Sequence, residues 1–285
     1  MRSPIRIIAT TDLHGLFYDG QYTPRPAGTL AGVRDFVSDA LRSEPSTPTF
    51  MVDAGDFAGG GIAVWDGVYL HDGSTELIAE ELAAPMLYDA MVPGNHDLDP
   101  GIDRFVRYAG GIGRPMLAAN MVCPAVSPYT YARRGGVTVG FVGYVTTEAA
   151  PIDGSFAIED DFVSVAEAVE ELKREIAPDV IVLLAHDGPE KCRQIMEEII
   201  GIDLAVCGHE HSTKGVHRTN DGRLIVNPGP YGLTLADIRV TDGKAEAEIV
   251  SLPRIPYPMP RRLTELGGRT LVGGEFPKSL DAHIH

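Results

Sequence analysis

A run of side chains that can bind metal or move protons follows a Pro-Gly turn. Residues 92–99 read Val-Pro-Gly-Asn-His-Asp-Leu-Asp, so one amide, one imidazole and two carboxylates fall close together. The preceding stretch, residues 74–91, is typical of a helix followed by a strand, which places the run at the carboxyl end of a strand. Loops at such ends commonly carry function because the scaffold beneath them is rigid. A polar turn rich in Asx residues explains the same run equally well.

Similar polar residues follow other apolar runs along the chain. These are Asp12 and His14, Asp56, His186, and His209 with His211. In an open α/β sheet the carboxyl ends of the strands converge on one crevice, so we expect these residues to meet Asn95 and His96 there. For a single residue such as His186, packing in the core is the commoner explanation, but packing does not account for the whole set.

The set combines imidazole nitrogens with carboxylate and amide oxygens and contains no thiolate. Such ligands suit Mn, Zn or Fe rather than a structural zinc ion held by cysteines. Asp-x-His and His-x-His each place two ligands on one side of an extended segment. About seven protein ligands are too many for one four-coordinate ion and suit two ions that share a bridging carboxylate. We therefore predict two divalent metal ions as cofactors.

Five motifs, in this order, resemble the calcineurin-like metallophosphoesterase superfamily. They are Asp12-Leu13-His14, Gly55-Asp56, Gly94-Asn95-His96-Asp97, His186 and Gly208-His209-Glu210-His211. Within it, residues 11–15, 53–56 and 95–99 most resemble the catalytic domain of the 5′-nucleotidase and 2′,3′-cyclic-nucleotide phosphodiesterase group. The resemblance extends from Ile5 to about Leu252. It implies a mixed α/β fold, a four-layer α-β-β-α sandwich with two mixed β-sheets flanked by helices.

The resemblance also implies a role for each residue. The first metal ion would be bound by Asp12, His14 and His211, the second by Asn95, His186 and His209, and Asp56 would bridge both. His96 would act on the phosphate rather than on a metal, and Asp99 would orient the His96 imidazole, as carboxylates commonly do for histidine. Asp97 is interpreted as a supporting residue, and Asp53 as the cap of its turn.

The implied reaction is two-metal hydrolysis of a small phosphate ester. Two cations lower the pKa of a bound water, and the resulting hydroxide attacks phosphorus in line with the leaving group while His96 assists. The leading hypothesis is a 5′-nucleotidase-like phosphomonoesterase. The alternative is a phosphodiesterase acting on 2′,3′-cyclic nucleotides or nucleotide sugars. The third hypothesis is a non-catalytic metal-binding scaffold, against which the retained His96 and the full ligand set both count.

We predict a catalytic domain at residues 1–252 and a proline-rich arm at residues 253–285. Four prolines lie within eight residues at the start of the arm, and we expect it to pack on the domain or on a neighbouring subunit of a homo-oligomer. Full-length relatives in the nucleotidase group carry a second domain that stacks the base, and we expect none here. Substrate contacts are therefore expected from aromatic residues in nearby loops, namely Trp65, Tyr69 and Tyr231.

Composition narrows the class of protein. The 285 residues are 44% hydrophobic and 22% charged, which is typical of a folded globular protein. The net charge of −16 argues against a nucleic-acid polymer as partner, because such proteins cluster Lys and Arg. The three cysteines are scattered, so no disulfide framework is expected. We see neither a signal peptide nor an apolar run long enough for a membrane span, and we expect a cytoplasmic protein.

Apolar periodicity predicts the elements that position these residues. Strands are predicted at residues 5–10, 49–52, 116–121, 180–184 and 203–207, with a hairpin at 129–142 and three consecutive antiparallel strands at 224–226, 233–240 and 245–252. Helices are predicted at residues 27–43, 102–108, 163–176 and 189–200. Residues 94–99 are predicted to form a loop.

Overall fold

The computed structural model describes residues 4–15, 30–59, 88–99, 101–149, 156–160 and 162–253. In chain order the strands are β1 (Ile5–Thr10), β2 (Thr49–Asp53), β3 (Ala90–Met91), β4 (Tyr129–Arg134), β5 (Val137–Val145), β6 (Val180–His186), β7 (Leu204–Cys207), β8 (Gly215–Arg218), β9 (Leu224–Asn227), β10 (Thr234–Thr241) and β11 (Lys244–Ser251). The helices are α1 (Leu30–Ser43), the short α2 (Asn95–Leu98), α3 (Ile102–Ile112), α4 (Val163–Glu175) and α5 (Pro189–Glu198).

The strands form two mixed sheets. In the five-stranded sheet the order is β11-β10-β1-β2-β3, with β1, β2 and β3 parallel and β10 antiparallel to both of its neighbours. In the six-stranded sheet the order is β4-β5-β6-β7-β9-β8, with the four inner strands parallel and the two edge strands antiparallel to them. Because parallel strands end at the same edge, the loops after β1, β2 and β3 emerge together, as do those after β5, β6 and β7.

Alternating side chains of the strands build the core in three apolar layers. Between the sheets, Ile7 and Phe50 of the first sheet pack in one cluster with Phe141 and Val182 of the second. The other face of the first sheet packs against α1 and α3, and the other face of the second sheet packs against α4 and α5. This arrangement confirms the predicted four-layer sandwich of two mixed sheets flanked by helices.

Two predictions about strands are wrong. Residues 224–226, 233–240 and 245–252 do not form three consecutive antiparallel strands, because β9 lies parallel to β7 in the second sheet whereas β10 and β11 pair in the first. Residues 116–121 do not form a continuous strand. Isolated bridges join Met116 to Met91, Leu117 to Ser127 and Met121 to Ile158. The backbone there changes partner repeatedly, so no ladder extends.

Two further differences have local causes. The helix predicted to end at residue 108 continues to Ile112 and stops at Gly113, whose φ of 60° is left-handed, a common way to end a helix. Strand β8 was not predicted, because its sequence Gly-Val-His-Arg contains no apolar run. Its side chains alternate between half-buried and exposed at the edge of the sheet.

Several predictions concern residues outside the described ranges. They include most of the helix before β3, the loop that carries Trp65 and Tyr69, and nearly all of the proline-rich arm. The domain division and the packing of the arm therefore stay predictions. The cytoplasmic location also stays a prediction. Among the described helices, none is long and apolar enough to span a membrane.

Truncating Phe141 tests the apolar layer between the sheets. Its ring is fully buried, and its centroid lies 6.4 Å from that of the Phe50 ring. Phe141→Ala removes this packing and leaves a cavity, so we expect the free energy of unfolding to fall by about 3–5 kcal/mol.

Urea denaturation followed by circular dichroism measures this loss. Val122→Ala, at a position that is 85% exposed, is the control and should change the free energy of unfolding by less than about 0.5 kcal/mol. Similar small losses for both variants would contradict a packed layer between the sheets.

Candidate metal centre

The candidate ligand residues lie where parallel strands end. They are Asp12 and His14 after β1, Asp56 after β2, Asn95 after β3, His186 at the end of β6, and His209 and His211 after β7. The two sheets present these ends to the same side, so segments of both sheets meet in one place. The structure thus brings together all seven residues that the sequence predicts as ligands.

Four of these residues adopt a left-handed backbone. The φ angles are 52° at Asp12, 49° at His14, 50° at Asp56 and 64° at His209. Residues other than glycine rarely adopt this conformation, which costs free energy and clusters at functional sites. Its recurrence in three separate loops indicates that the fold maintains this strain in order to place the side chains.

Asp12, His14 and His211 form the first group. The Nε2 atoms of the two histidines lie 3.0 Å apart, and Asp12 Oδ1 lies 3.8 Å from His14 Nε2 and 3.4 Å from His211 Nε2. Atoms that bind one ion at about 2.1 Å lie roughly 3.0–3.4 Å from each other. The distances between the two histidines and between Asp12 and His211 fall in this range, and the ligand atoms of all three side chains lie within 4.8 Å of one another, so they converge on one place.

Asn95, His186 and His209 form the second group. Asn95 Oδ1 is 3.1 Å from His186 Nε2 and 3.1 Å from His209 Nδ1. Asp56 lies between the two groups, because its Oδ2 is 3.3 Å from His186 Nε2, and ligand atoms of Asp56, His186 and Asp12 all lie within 4.8 Å of one another. This is the position that a carboxylate shared by two ions would occupy.

Each candidate histidine has one ring nitrogen facing these groups and the other on a separate partner. The outward pairs are His14 Nδ1 with Gly59 O at 2.9 Å, His186 Nδ1 with Ala54 O at 2.8 Å, His211 Nδ1 with the Tyr231 hydroxyl at 3.3 Å, and His209 Nε2 with Glu148 Oε2 at 3.1 Å. A carbonyl oxygen only accepts, so the Nδ1 atoms of His14 and His186 carry protons. Partners of this kind fix the tautomer of metal-binding histidines, and the residues present fit that role.

Burial and charge together set the protonation of the site. Burial alone would raise the pKa values of Asp12 and Asp56, but the imidazoles around them outweigh it and hold both pKa values below the ordinary range. Burial likewise opposes a charge on His186, yet the adjacent Asp56 carboxylate raises the pKa of His186 to about 10. Without metal, His186 is therefore protonated at neutral pH, and a divalent ion would replace that proton.

The polar residues after β2 and β3 lie in local turns, and residues 94–99 differ from the predicted loop. Asn95–Leu98 form the helical turn α2, because the Asp97 carboxylate accepts the backbone N–H of Gly94 and caps the start of the turn. Asp53 caps the turn after β2, as predicted, since its Oδ1 accepts the N–H of Gly55 at 3.0 Å.

Asp97 supports the site rather than facing the ligands. Its buried carboxylate accepts four backbone N–H groups, those of Phe57 at 3.3 Å, Ala58 at 3.1 Å, Gly59 at 2.8 Å and Gly94 at 3.0 Å. Burial, with Asp56 nearby, raises the pKa of Asp97 to about 6. These bonds tie the segment after β2 to the turn after β3, and Gly59 in turn holds His14. The supporting role predicted for Asp97 agrees with these contacts.

His96 and Asp99 form a pair beside the first group. His96 Nδ1 lies 2.7 Å from Asp99 Oδ2, and the His96 ring centroid lies 5.5 Å from that of His14. Burial opposes a charge on His96, but the Asp99 hydrogen bond and the Asp56 charge raise its pKa. The backbone N–H of His96 also donates to Asp56 Oδ1 at 2.9 Å. An imidazole whose charged form is favoured by a carboxylate thus lies next to the candidate ligands.

Of the three predicted substrate contacts, only Tyr231 lies within the described residues. Its ring centroid is 5.6 Å from that of His14 and 5.2 Å from that of His211, and its backbone N–H donates to Asp12 O at 2.8 Å. Tyr231 therefore packs against the first group, and its contact with substrate stays a prediction. The same holds for Trp65 and Tyr69.

Sequence patterns do not reveal two contributions to the site. The carbonyl groups of Ala54 and Gly59 have no side-chain signature. Glu148 is one acidic residue among many and lies 61 positions from His209. Its place directly after the apolar strand β5 is the one signal that could have found it.

The family profile for the Calcineurin-like phosphoesterase family matches residues 5–213, which include all seven candidate ligands and the His96–Asp99 pair. The chain belongs to the calcineurin-like phosphoesterase family. Members of this family are metal-dependent hydrolases of phosphoric esters. This agrees with two clusters of possible metal ligands among the described residues, Asp12 with His14 and His211, and Asp12 with Asp56 and His186.

Two curated relatives and one solved structure extend this match. The 5′-nucleotidase of Bos taurus is 29% identical over 201 residues, which cover 66% of this chain and 33% of the relative. The trifunctional nucleotide phosphoesterase protein YfkN of Bacillus subtilis (strain 168) is 26% identical over 291 residues, which cover 85% of this chain and 20% of YfkN. The chain thus spans a third or less of the length of these two relatives.

A crystal structure of calcineurin-like phosphoesterase YfkN from Bacillus subtilis has the same fold. It superposes with a TM-score of 0.74 at 22% identity and covers 95% of this chain and 97% of that chain.

Gly94 tests the position of the Asp56 carboxylate. A Cβ on Gly94 would lie 2.0 Å from Asp56 Oδ1, so Gly94→Ala must displace the carboxylate from between the two groups. Because a misplaced ligand weakens metal binding, we expect the affinity for Mn²⁺ to fall at least about tenfold. Titration of the metal-free protein with Mn²⁺, followed by the EPR signal of the free ion, measures the affinity.

Gly110→Ala in α3 is the matched control, because a Cβ there meets no atom within 4 Å. It should bind Mn²⁺ as the unmodified protein does. Equal affinities for the two variants would contradict the placement of Asp56 beside the other ligands.

Proposed function

We propose that the protein hydrolyses small phosphate esters at two divalent metal ions, as a 5′-nucleotidase-like phosphomonoesterase. The observation that carries this proposal is the position of Asp56, one buried carboxylate that lies with Asp12 of the first group and His186 of the second within 4.8 Å. A pair of ions in a phosphatase acts as a clamp on the attacking and leaving oxygens, and a shared ligand holds such a pair together. Imidazole and carboxylate ligands fit Mn, Zn and Fe alike.

Two such ions, when bound, would polarise the phosphoryl group and supply an activated water for in-line attack. The residues of the chain would hold them without rearrangement. Asp12 and Asp56 are kept anionic, and the tautomers of His14 and His186 are fixed by backbone carbonyls. Ligands that are already aligned before the reaction contribute most to stabilising developing charge.

His96 is the proposed proton donor. Its Nδ1 is bonded to Asp99, which leaves Nε2–H as the free donor of the protonated ring. We propose that this N–H stabilises charge on the phosphoryl oxygens or protonates the departing alkoxide. Acid catalysis of this kind commonly contributes ~10²–10⁴ in rate. Asp99 holds the ring in orientation and favours its charged form.

The proposed substrate is a nucleoside monophosphate. Relatives named 5′-nucleotidase and nucleotide phosphoesterase support this class. The metal ions and His96 would act on the phosphoryl group whichever leaving group it carries. The same site would therefore also serve a phosphodiesterase acting on 2′,3′-cyclic nucleotides or nucleotide sugars. The leaving group that fits beside the site decides between them.

A substrate panel tests the function. AMP, 2′,3′-cyclic AMP, UDP-glucose and a bis-ester dye are each incubated with the protein and Mn²⁺, with EDTA as the metal-free control. We expect phosphate release from AMP that EDTA abolishes. Faster turnover of the cyclic nucleotide or of UDP-glucose would assign the diesterase alternative. No hydrolysis by metal-loaded protein would leave the non-catalytic scaffold as the better description.

Replacement of His96 tests its role apart from metal binding. We expect His96→Ala to lower kcat for AMP by about 10²–10⁴ and to leave the Mn²⁺ content unchanged, since the ring is not proposed as a ligand. His217→Ala is the matched control, because His217 lies on β8 and its Nε2 donates to Thr213 O at 2.7 Å. Turnover of His96→Ala at the level of this control would contradict the catalytic role proposed for His96.

A further inference from the structure

We propose that Glu148 is a positioning residue for the second metal ion: its carboxylate accepts the Nε2–H of His209 and so directs Nδ1 of that ring at the ion. This inference rests on the proposed two-metal function and deepens it. The contact joins His209 Nε2 to Glu148 Oε2 at 3.1 Å. Among the four candidate histidine ligands, His209 is the one whose outward nitrogen lies within hydrogen-bonding distance of a carboxylate.

His209 needs such a partner because its ring is oriented opposite to the rings of the other three candidate histidines. His14, His186 and His211 face the ligand groups with Nε2, so their outward nitrogen is Nδ1, which lies close to the protein backbone. His209 faces Asn95 with Nδ1. Its outward nitrogen is therefore Nε2 at the tip of a ring whose side chain is 21% exposed. A side chain from another segment has to reach it.

The turn that carries Glu148 is fixed to the site. Residues Thr147–Ala149 form a short 3₁₀ turn directly after β5. The backbone N–H of Thr146 donates to His186 O at 3.0 Å, and the Thr146 hydroxyl accepts the N–H of Glu148 at 3.3 Å. Thr146 is itself buried. The base of Glu148 is thus tied to the strand end that carries another ligand of the same ion.

Stability alone does not explain the contact. The side chain of Glu148 is 72% exposed, and exposed ion pairs contribute little to folding stability. Two other carboxylates nearby point elsewhere. Glu210 lies against Gly188, where a Cβ would be 2.1 Å from its Oε1, and Asp187 Oδ1 accepts the N–H of Gly188. Glu148 is therefore the carboxylate that this geometry places on the His209 ring.

The chemical consequence concerns the strength of the second site. A carboxylate on the outward N–H fixes the tautomer, aligns the ring and makes the facing nitrogen a better donor to the metal. Loss of such a partner commonly costs about 10–100-fold in metal affinity. Because Glu148 contacts a ligand of the second group, the first ion should bind as before.

The test is Mn²⁺ binding to the metal-free 285-residue chain by equilibrium dialysis. We expect two ions per chain for the unmodified protein. In Glu148→Ala one of the two ions should bind about 10–100-fold less tightly, and the other ion should be unaffected. Glu148→Gln keeps an acceptor oxygen and should fall in between. Glu210→Gln removes the same charge next to His209 without touching its ring and should bind both ions normally.

A spectroscopic signature separates positioning from a general structural effect. In the Zn²⁺-loaded protein, long-range ¹H–¹⁵N spectra should show a metal-bound Nδ1 for His209 and an Nε2–H that exchanges slowly with water. Glu148→Ala should make that proton exchange fast, while thermal melting of the metal-free protein stays unchanged because the side chain is exposed.

Unchanged binding of both ions in Glu148→Ala would overturn the inference and leave the two-metal function standing. An equal loss in Glu210→Gln would also overturn it, because nearby charge rather than ring contact would then be responsible. Failure of the unmodified protein to bind a second ion would overturn the inference together with the proposed function.

Discussion

The buried carboxylate of Asp56 is the point at which the two halves of the site depend on each other. Its Oδ2 lies 3.3 Å from His186 Nε2, and its Oδ1 accepts the backbone N–H of His96. A carboxylate out of contact with water is stable only where positive charge and hydrogen bonds compensate for the lost solvation. Without metal, His186 supplies that charge; with metal, the ions would. This requirement couples the backbone that carries His96 to the ligands of the second group.

The fold meets this requirement through its backbone as much as through its side chains. Two mixed sheets end their parallel strands at a common edge, and the apolar layer between them fixes their separation. Carbonyl oxygens of Ala54 and Gly59 then hold His186 and His14 in one tautomer. Each of these supports comes from a different segment than the side chain it holds. The site is therefore a product of tertiary packing and would not form from any one motif alone.

Residue type and spacing were enough to predict that the seven candidate ligands and His96 meet at one site. The resemblance to the family separated His96 from the ligands and paired it with Asp99. Each of these lies close after an apolar run whose identity as a strand is plain from its length and composition. The direction of β9 was not predictable in this way, because the Asn-Pro-Gly segment after it suits either a hairpin or a crossing to the other sheet. Glu148 was not predicted for a related reason, because nothing in the sequence around an exposed glutamate indicates which distant imidazole it contacts. In both cases the feature that sequence patterns could not predict is a contact between segments that are distant in the chain.

Anomalous diffraction from crystals of the Mn²⁺-loaded protein tests the two-metal site most directly, because it locates the ions without reference to activity. We predict two peaks roughly 3.5–4 Å apart, with an Asp56 oxygen in contact with both. One peak should lie among Asp12, His14 and His211, and the other among Asn95, His186 and His209. A single peak at full Mn²⁺ occupancy, or a second peak away from Asn95 and His209, would contradict a centre bridged by Asp56.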